Sequence, residues 1–350
     1  MDNSLELVIN KCINKNIPFV VYQKPFEPNL TFFSNPSGCQ LSRCCSTYFS
    51  IVDFNSKFSN GYKIYAELDI AETLDYCNQS SKYHATSKIL PLQSPTLIND
   101  YVAQVNQILN MLKNDGGKVV LSKVTCGQHN ISNFYTLIKN YFSQYNNTFR
   151  YLYFTPSTGC WIGASPEILL KYDVNGHILH TMSLAGTRIS EDGNTPWDSK
   201  NTEEHNYVTK YIVNQLLKFN LDVNVSDGEN LQYGDLEHLC HRISANNVCV
   251  EQIEKILDEL SPTPALAGYP LKNALDTIYA LEKHERRCYG GYVSIWDNNN
   301  IDAYVNIRCA NFDTKHFCIY SGGGLTKDSI PSLEWEETEN KIKRLKELFS

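Results

Sequence analysis

Between residues 289 and 321 the chain runs through three strand-like stretches, 289–296, 301–309 and 316–321, parted only by Asp297-Asn298-Asn299-Asn300 and Asn311-Phe312-Asp313-Thr314. Parallel neighbours need a crossover of about a dozen residues or more, so links this short admit only antiparallel pairing. The Asn and Asp clusters supply the turn chemistry. The pattern predicts a three-stranded meander, and the rest of the chain must cover its apolar face.

Helical spacing marks the covering elements. Residues 203–219 carry Val208, Tyr211, Ile212, Leu216 and Leu217 on one face. Similar patterns predict helices over 1–14, 98–113, 131–145, 250–260, 270–282 and 333–348. Short apolar runs at 19–22, 62–66 and 118–121, and a strand-rich stretch ending at Leu184, complete an α+β chain with much antiparallel sheet. Residues 78–94 read as a polar loop, and neither repeats nor low-complexity tracts occur.

Composition then excludes several function classes. Lys and Arg number 31 against 38 Asp and Glu, a formal charge of −7 that opposes nucleic-acid binding. Hydrophobic residues at 42% and charged residues at 20% fit a globular chain. Asp2 and Glu6 stand where a signal peptide is basic, and no apolar run reaches membrane-span length, so a cytoplasmic protein without membrane partners is expected. Twelve cysteines in such a chain are expected as reduced thiols. The Cys39, Cys44, Cys45 cluster lacks zinc-site spacing, and Cys126, Cys160, Cys288 and Cys309 read as small buried hydrophobes.

Five features carry chemistry, each with a plainer reading beside it. Gly322-Gly323-Gly324 reads equally as an anion-binding nest and as a tight turn. Glu334, Glu337 and Lys341 share one helical face, as an exposed salt-bridged helix start or as part of a cation site. Glu203-Glu204-His205 opens another helix, and carboxylates from two helices with water suit Mg²⁺. Pro166 stiffens the approach to Glu167, which is a general acid if buried or a strand-end residue if not. Lys118, before Val119-Val120-Leu121, is a buried base or an exposed strand start.

These pieces fall in a recognisable order. Trp161-Ile162-Gly163-Ala164-Ser165-Pro166-Glu167 is followed by Leu184-Ala185-Gly186-Thr187-Arg188, Glu204-His205 and Ser261-Pro262-Thr263-Pro264-Ala265. Val305-Asn306-Ile307-Arg308-Cys309-Ala310, the three glycines and Glu334-Trp335-Glu336-Glu337-Thr338 come next. The series resembles the chorismate-utilising enzymes over residues 115–348, with residues 1–110 as a variable N-terminal part of one domain spanning 1–350. The resemblance implies two packed, largely antiparallel sheets flanked by helices.

The same resemblance implies the site. It is closest to isochorismate synthase: Lys118 matches a water-activating lysine, Ala185 stands where some relatives carry a nucleophilic lysine, and Arg286-Arg287-Cys288-Tyr289 lacks the glycine common in anthranilate and salicylate enzymes. Lys118 is the implied base and Glu167 the implied acid. Glu204 and Glu337, supported by Glu334, are the implied Mg²⁺ carboxylates. Gly186, Thr187, His238, Tyr289, Arg308, Gly322, Gly324 and Lys341 are the implied contacts to chorismate. Gly290, Tyr292 and Ser294 depart from the family pattern on a stretch expected at the pocket wall. The expected reaction is Mg²⁺-dependent conversion of chorismate to isochorismate, for menaquinone or a siderophore, by a monomer without a glutaminase partner. Salicylate synthase and anthranilate synthase component I are the alternatives, and a catalytically silent ligand-binding protein is the rival of another class.

Overall fold

A strand buried at every position, such as Phe149–Thr155, requires cover on both faces of its sheet, because alternate side chains leave the strand in opposite directions. In the computed structural model, Phe149, Tyr151 and Tyr153 enter one core while Leu152 and Phe154 enter another. The structure describes residues 2–38, 47–79, 93–131, 133–189, 195–233 and 236–350. Cys39, Cys44 and Cys45 lie outside them.

In chain order the elements are α1 (Asp2–Lys15), β1 (Phe19–Gln23), β2 (Thr31–Ser34), β3 (Tyr48–Val52), β4 (Tyr62–Tyr65), α2 (Ile70–Gln79), α3 (Ile98–Asp115), β5 (Lys118–Gln128) and α4 (Phe134–Ser143). There follow β6 (Phe149–Thr155), β7 (Gly159–Ser165), β8 (Ile168–Asp173), β9 (Ile178–Ile189), α5 (Ser199–Leu217), β10 (Asp222–Val225), β11 (Glu229–Tyr233) and β12 (Leu236–Asn246). The last are α6 (Ile253–Leu260), β13 (Gly268–Tyr269), α7 (Leu271–Leu281), β14 (Tyr292–Trp296), β15 (Asn300–Val305), β16 (Cys309–Phe312), β17 (His316–Leu325) and α8 (Pro331–Leu348). The short α2 meets the stretch 78–94 read as loop only at Asn78 and Gln79, residues 80–92 of that stretch lie outside the described residues, and only Thr73 and Cys77 of α2 are buried.

The strands form two antiparallel sheets. One runs β13-β5-β17-β16-β7-β6-β1-β2 and the other β10-β12-β9-β8-β15-β14-β3-β4, with β11 added on β12. Their facing sides meet through Phe49 with Tyr151 and Tyr153, ring centroids 6.2 and 5.7 Å apart, and through Phe149 stacked on Tyr304 at 4.4 Å. The outer side of the first sheet is covered by α1, α4 and the end of α8.

The expected meander is corrected here. The stretch 301–309 is two strands: β15 pairs with β14 and β8, while β16 belongs to the other sheet with β7 and β17. The chain changes sheets at Asn306–Arg308. Asn306 is fully buried, accepts from Tyr151 Oη and donates to the Cys288 carbonyl at 2.8 Å, which ties the crossing down. A second crossing, Pro166–Glu167, joins β7 to β8. The two run side by side, with Val305 N–H donating to the Glu167 carbonyl at 3.0 Å and Ser165 Oγ donating to the Val305 carbonyl at 2.5 Å.

Two further expectations change. Cys126 and Cys318 face each other in the β5–β17 register and form a disulfide, with Cα atoms 4.2 Å apart, so not every thiol is free. Cys126 is only half-buried, whereas Cys160, Cys288 and Cys309 are buried as expected. The three glycines lie inside β17, paired with Ser122, Leu121 and Val120, and make no turn.

Candidate active site

The two crossings open beside a pocket that Pro166 and Glu167 line from one and Ile307 and Arg308 from the other. Its wall includes Glu167, Gly186, Glu204, His238, Tyr289, Arg308, Gly322, Gly324 and Lys341, brought from both sheets and from α5 and α8. Nine of the residues singled out in the sequence thus converge on one cavity.

Strand register explains the glycine edge. Ser122 sits opposite Gly322, but its N–H donates at 2.7 Å to Glu282, away from β17. Gly322 is therefore at a non-hydrogen-bonded position of this ladder, with its N–H and C=O both directed to the strand's other side. There the Gly322 carbonyl accepts from Lys341 Nζ at 3.0 Å. β16 pairs with β17 only up to Ile319, so this edge is open to the pocket and its N–H groups can take an anion.

Arg308 and His238 set each other's roles. Arg308 at the sheet crossing donates Nη2 to His238 Nε2 at 3.1 Å. A guanidinium has no acceptor, so Nε2 must accept and Nδ1 must carry the hydrogen, which it donates to the Gly186 carbonyl at 3.2 Å. Burial and the Arg308 charge push His238 down to about 3, so the ring is neutral at physiological pH. Gly186 reaches this position with φ +77°, a conformation glycine adopts without penalty.

Glu167 is 4% exposed, and burial pushes its carboxyl up to about 8, against the opposing pull of Lys118 and Lys341. It is predominantly protonated at neutral pH. A carboxylic acid of this kind is a proton donor.

Helix α5 starts at Asp198, whose side chain accepts from Asn201 N–H at 2.7 Å. Its apolar stripe, with Val208, Ile212 and Leu216 buried, holds the first turns against β9. His205 is buried there beside Ser183, with Nε2 2.5 Å from His241 Nδ1, and Glu204 reaches the pocket. Glu204 Oε1 lies 2.8 Å from Lys118 Nζ, and Lys118, on the first residue of β5, has no exposed side-chain surface. Both groups stand over Gly324, where a Cβ would collide with Glu204 Oε1 and lie 2.8 Å from Lys118 Cε. On α8, Lys341 Nζ pairs with Glu337 Oε1 at 2.7 Å.

The three carboxylates expected around a metal are not gathered into one group. A Cβ on Gly323 would point to the opposite face of β17, 3.2 Å from buried Glu334 Oε2 and 3.6 Å from Tyr101 Oη. Among the described residues no three His, Cys, Asp or Glu side chains converge for a metal. Glu204 at the pocket wall and Glu337 beside Lys341 do supply hard oxygen donors from two helices. That set fits Mg²⁺, which takes few protein ligands and completes its shell with water and substrate oxygens.

Of the remaining expectations, the Thr187 side chain lies outside the described residues, although its backbone pairs with His238. Gly290, Tyr292 and Ser294 do not line the pocket. The Ser294 hydroxyl is spent on Ser50 at 2.6 Å between neighbouring strands. The sequence reading missed a buried strap behind the wall. Arg286 pairs with Glu282 at 2.5 Å and donates to the carbonyls of Leu266 and Val120, each at 2.7 Å, and both of those residues line the pocket. The i,i+4 spacing of Glu282 and Arg286 was its only sequence signal. Tyr320, also missed, stacks between Tyr289 and Trp161 at 5.7 and 5.5 Å.

Comparison with known proteins agrees with this arrangement. The chain is 29% identical over 197 residues to anthranilate synthase component 1 of Neisseria gonorrhoeae, covering 52% of this chain and 39% of that protein. It is 32% identical over 202 residues to isochorismate synthase MenF of Pasteurella multocida, covering 54% and 46%. These alignments span less than half the length of either relative. The vibriobactin-specific isochorismate synthase of Vibrio cholerae matches at 27% identity over 85% of this chain and 78% of that protein. The fold is that of MenF, the menaquinone-specific isochorismate synthase from Escherichia coli, with a TM-score of 0.78 at 17% identity over 100% of this chain and 92% of that one. Anthranilate synthase component I from Streptococcus pneumoniae superposes with a TM-score of 0.64 at 18% identity, over 93% of this chain and 91% of that one. The profile of the chorismate binding enzymes matches residues 39–350, and with the two-sheet fold it establishes that the chain belongs to that enzyme family.

Proposed function

We propose that the protein is an isochorismate synthase, acting as one domain over residues 1–350. The observation that carries this reading is that Glu167 and Arg308 line one pocket with Glu204, against whose carboxylate Lys118 Nζ stands at 2.8 Å. Isomerisation of chorismate requires a base for water, an acid for the departing ring hydroxyl and an anchor for two carboxylates. Lys118 is the base for the water that attacks the ring carbon beside the carboxylate-bearing carbon. Glu167 gives its proton to the leaving hydroxyl as the diene shifts. Arg308, fixed by His238, and Tyr289 hold the enolpyruvyl carboxylate with the N–H groups of Gly322 and Gly324. Lys341 adds positive charge, and Gly186 and Thr187 line the ring.

Glu204 and Glu337 would hold Mg²⁺, with Glu334 supporting from behind β17. When bound, the metal supplies a Lewis acid that anchors and polarises the ring carboxylate. The two N-terminal strands and α1 serve the core, and the product would feed menaquinone or siderophore synthesis in the cytoplasm. No helix among the described residues is long and apolar enough to cross a membrane.

Chromatography of products from chorismate and Mg²⁺ tests the proposal. Isochorismate alone is expected. Salicylate with pyruvate would replace the reading by salicylate synthase, ammonia-dependent anthranilate by anthranilate synthase component I, and binding without turnover by a silent binder.

A further inference from the structure

The proposed metal site contains a cation of the protein's own. Lys118 Nζ stands 2.8 Å from Glu204 Oε1, with exposures of 0% and 12% for the two side chains. Glu337 is likewise paired with a lysine, but the two pairs differ in kind. Lys341 is 24% exposed and has the Gly322 carbonyl as a second acceptor, so it can stay in place when Glu337 turns to another cation. Lys118 is fixed at the start of β5, opposite Tyr269, and its ammonium makes no well-directed hydrogen bond in the structure. Its contact with Glu204 is ionic, and burial screens it little.

A divalent ion using Glu204 therefore enters the field of an ammonium that cannot retreat to water. We propose that Lys118 is an internal counter-ion that competes with the divalent cation for Glu204, holding the carboxylate over Gly324 when no metal is bound and weakening metal affinity. The proposal rests on the metal reading above, and it adds a second role to Lys118: metal binding draws Glu204 away from the lysine and separates the base from its carboxylate.

The test uses the full chain without substrate. Mn²⁺ binding is read from loss of the free-ion electron paramagnetic resonance signal, and Mg²⁺ binding from competition with it. Lys118→Met should tighten Mn²⁺ binding about tenfold or more, within the usual range of coupling between two ligands. Lys118→Arg, which keeps the charge, should bind like wild type. Glu204→Gln added to Lys118→Met should abolish the gain. Because Lys118→Met leaves the half-buried Glu204 carboxylate without this partner, Mn²⁺ should also raise its melting temperature more than that of wild type. Affinity in Lys118→Met equal to or weaker than wild type overturns the inference alone, as does a gain that survives Glu204→Gln. No binding by either protein, with or without chorismate, overturns the metal reading and the inference with it.

Discussion

Replacing Glu167 by Gln separates the carboxyl's burial from its chemistry. The group is 4% exposed at the crossing between sheets, and its pKa rises from the ordinary 4.5 to about 8 because burial disfavours the charged form. The folded chain therefore keeps a proton that the unfolded chain releases. Stability contributed by this group is fully present below pH 4.5 and is lost as pH rises toward about 8. Each unit corresponds to about 1.4 kcal/mol, so at pH 7 the wild type forgoes roughly 3 kcal/mol relative to a neutral side chain of the same shape. Glu167→Gln should unfold like wild type near pH 4, gain on it steadily with pH, and level off above about pH 8. Urea unfolding of both proteins at several pH values gives the difference directly. Turnover should meanwhile fall about a hundredfold or more, the usual contribution of a positioned acid. A stability difference that does not change between pH 4 and 8 would mean that the folded carboxyl ionises freely. The proton-donor role would then fail with it.

Two other substitutions examine the surroundings. Gly324→Ala places a methyl where Glu204 Oε1 and Lys118 Cε meet. Turnover should drop about tenfold to a hundredfold from misplacement, with little change in melting temperature because the displaced groups are side-chain ends; wild-type kinetics would refute the cradle. Glu282→Gln strands Arg286 as a buried charge, and about 3 kcal/mol of stability should be lost in chemical denaturation. A loss under about 1 kcal/mol would show that the strap does not stiffen the wall.

Much of the helical frame was legible because helices announce themselves by period. The stripes of α5 and α6 were readable from Val208 to Leu216 and from Ile253 to Leu260, and both helices formed. Strands that change sheets carry no such mark. Residues 301–309 are apolar throughout apart from Asp302, Asn306 and Arg308, and nothing local says that Asn306 will turn inward to Tyr151 and Cys288. The short α2 was hidden because few of its residues are buried. Cys126 and Cys318 lie 192 residues apart, so their pairing follows only from the β5–β17 register. At the site, ordered motifs identified which residues converge, since order along the chain is what the resemblance reads. They did not show that Glu204 is held by Lys118 or that Glu334 faces the far side of β17, because these depend on which way side chains leave a strand or a helix.

The charge of the whole chain pointed away from an anionic ligand, and the pocket reverses that sign locally. Arg308, Lys341 and Glu204 line it, Lys118 pairs with Glu204 and Glu337 with Lys341 beside it, while Glu167 and His238 are predominantly neutral at physiological pH. The balance is one positive charge. A dianion such as chorismate would overshoot it, and in a water-poor pocket an excess of one negative charge is costly. Under the proposed function a divalent cation held at Glu204 would restore the positive sign, beside the Lys118 ammonium that already pairs with that carboxylate. The acidic total and a locally cationic pocket are thus compatible, because two of the 38 acidic residues, Glu204 and Glu337, are the ones proposed to hold that ion.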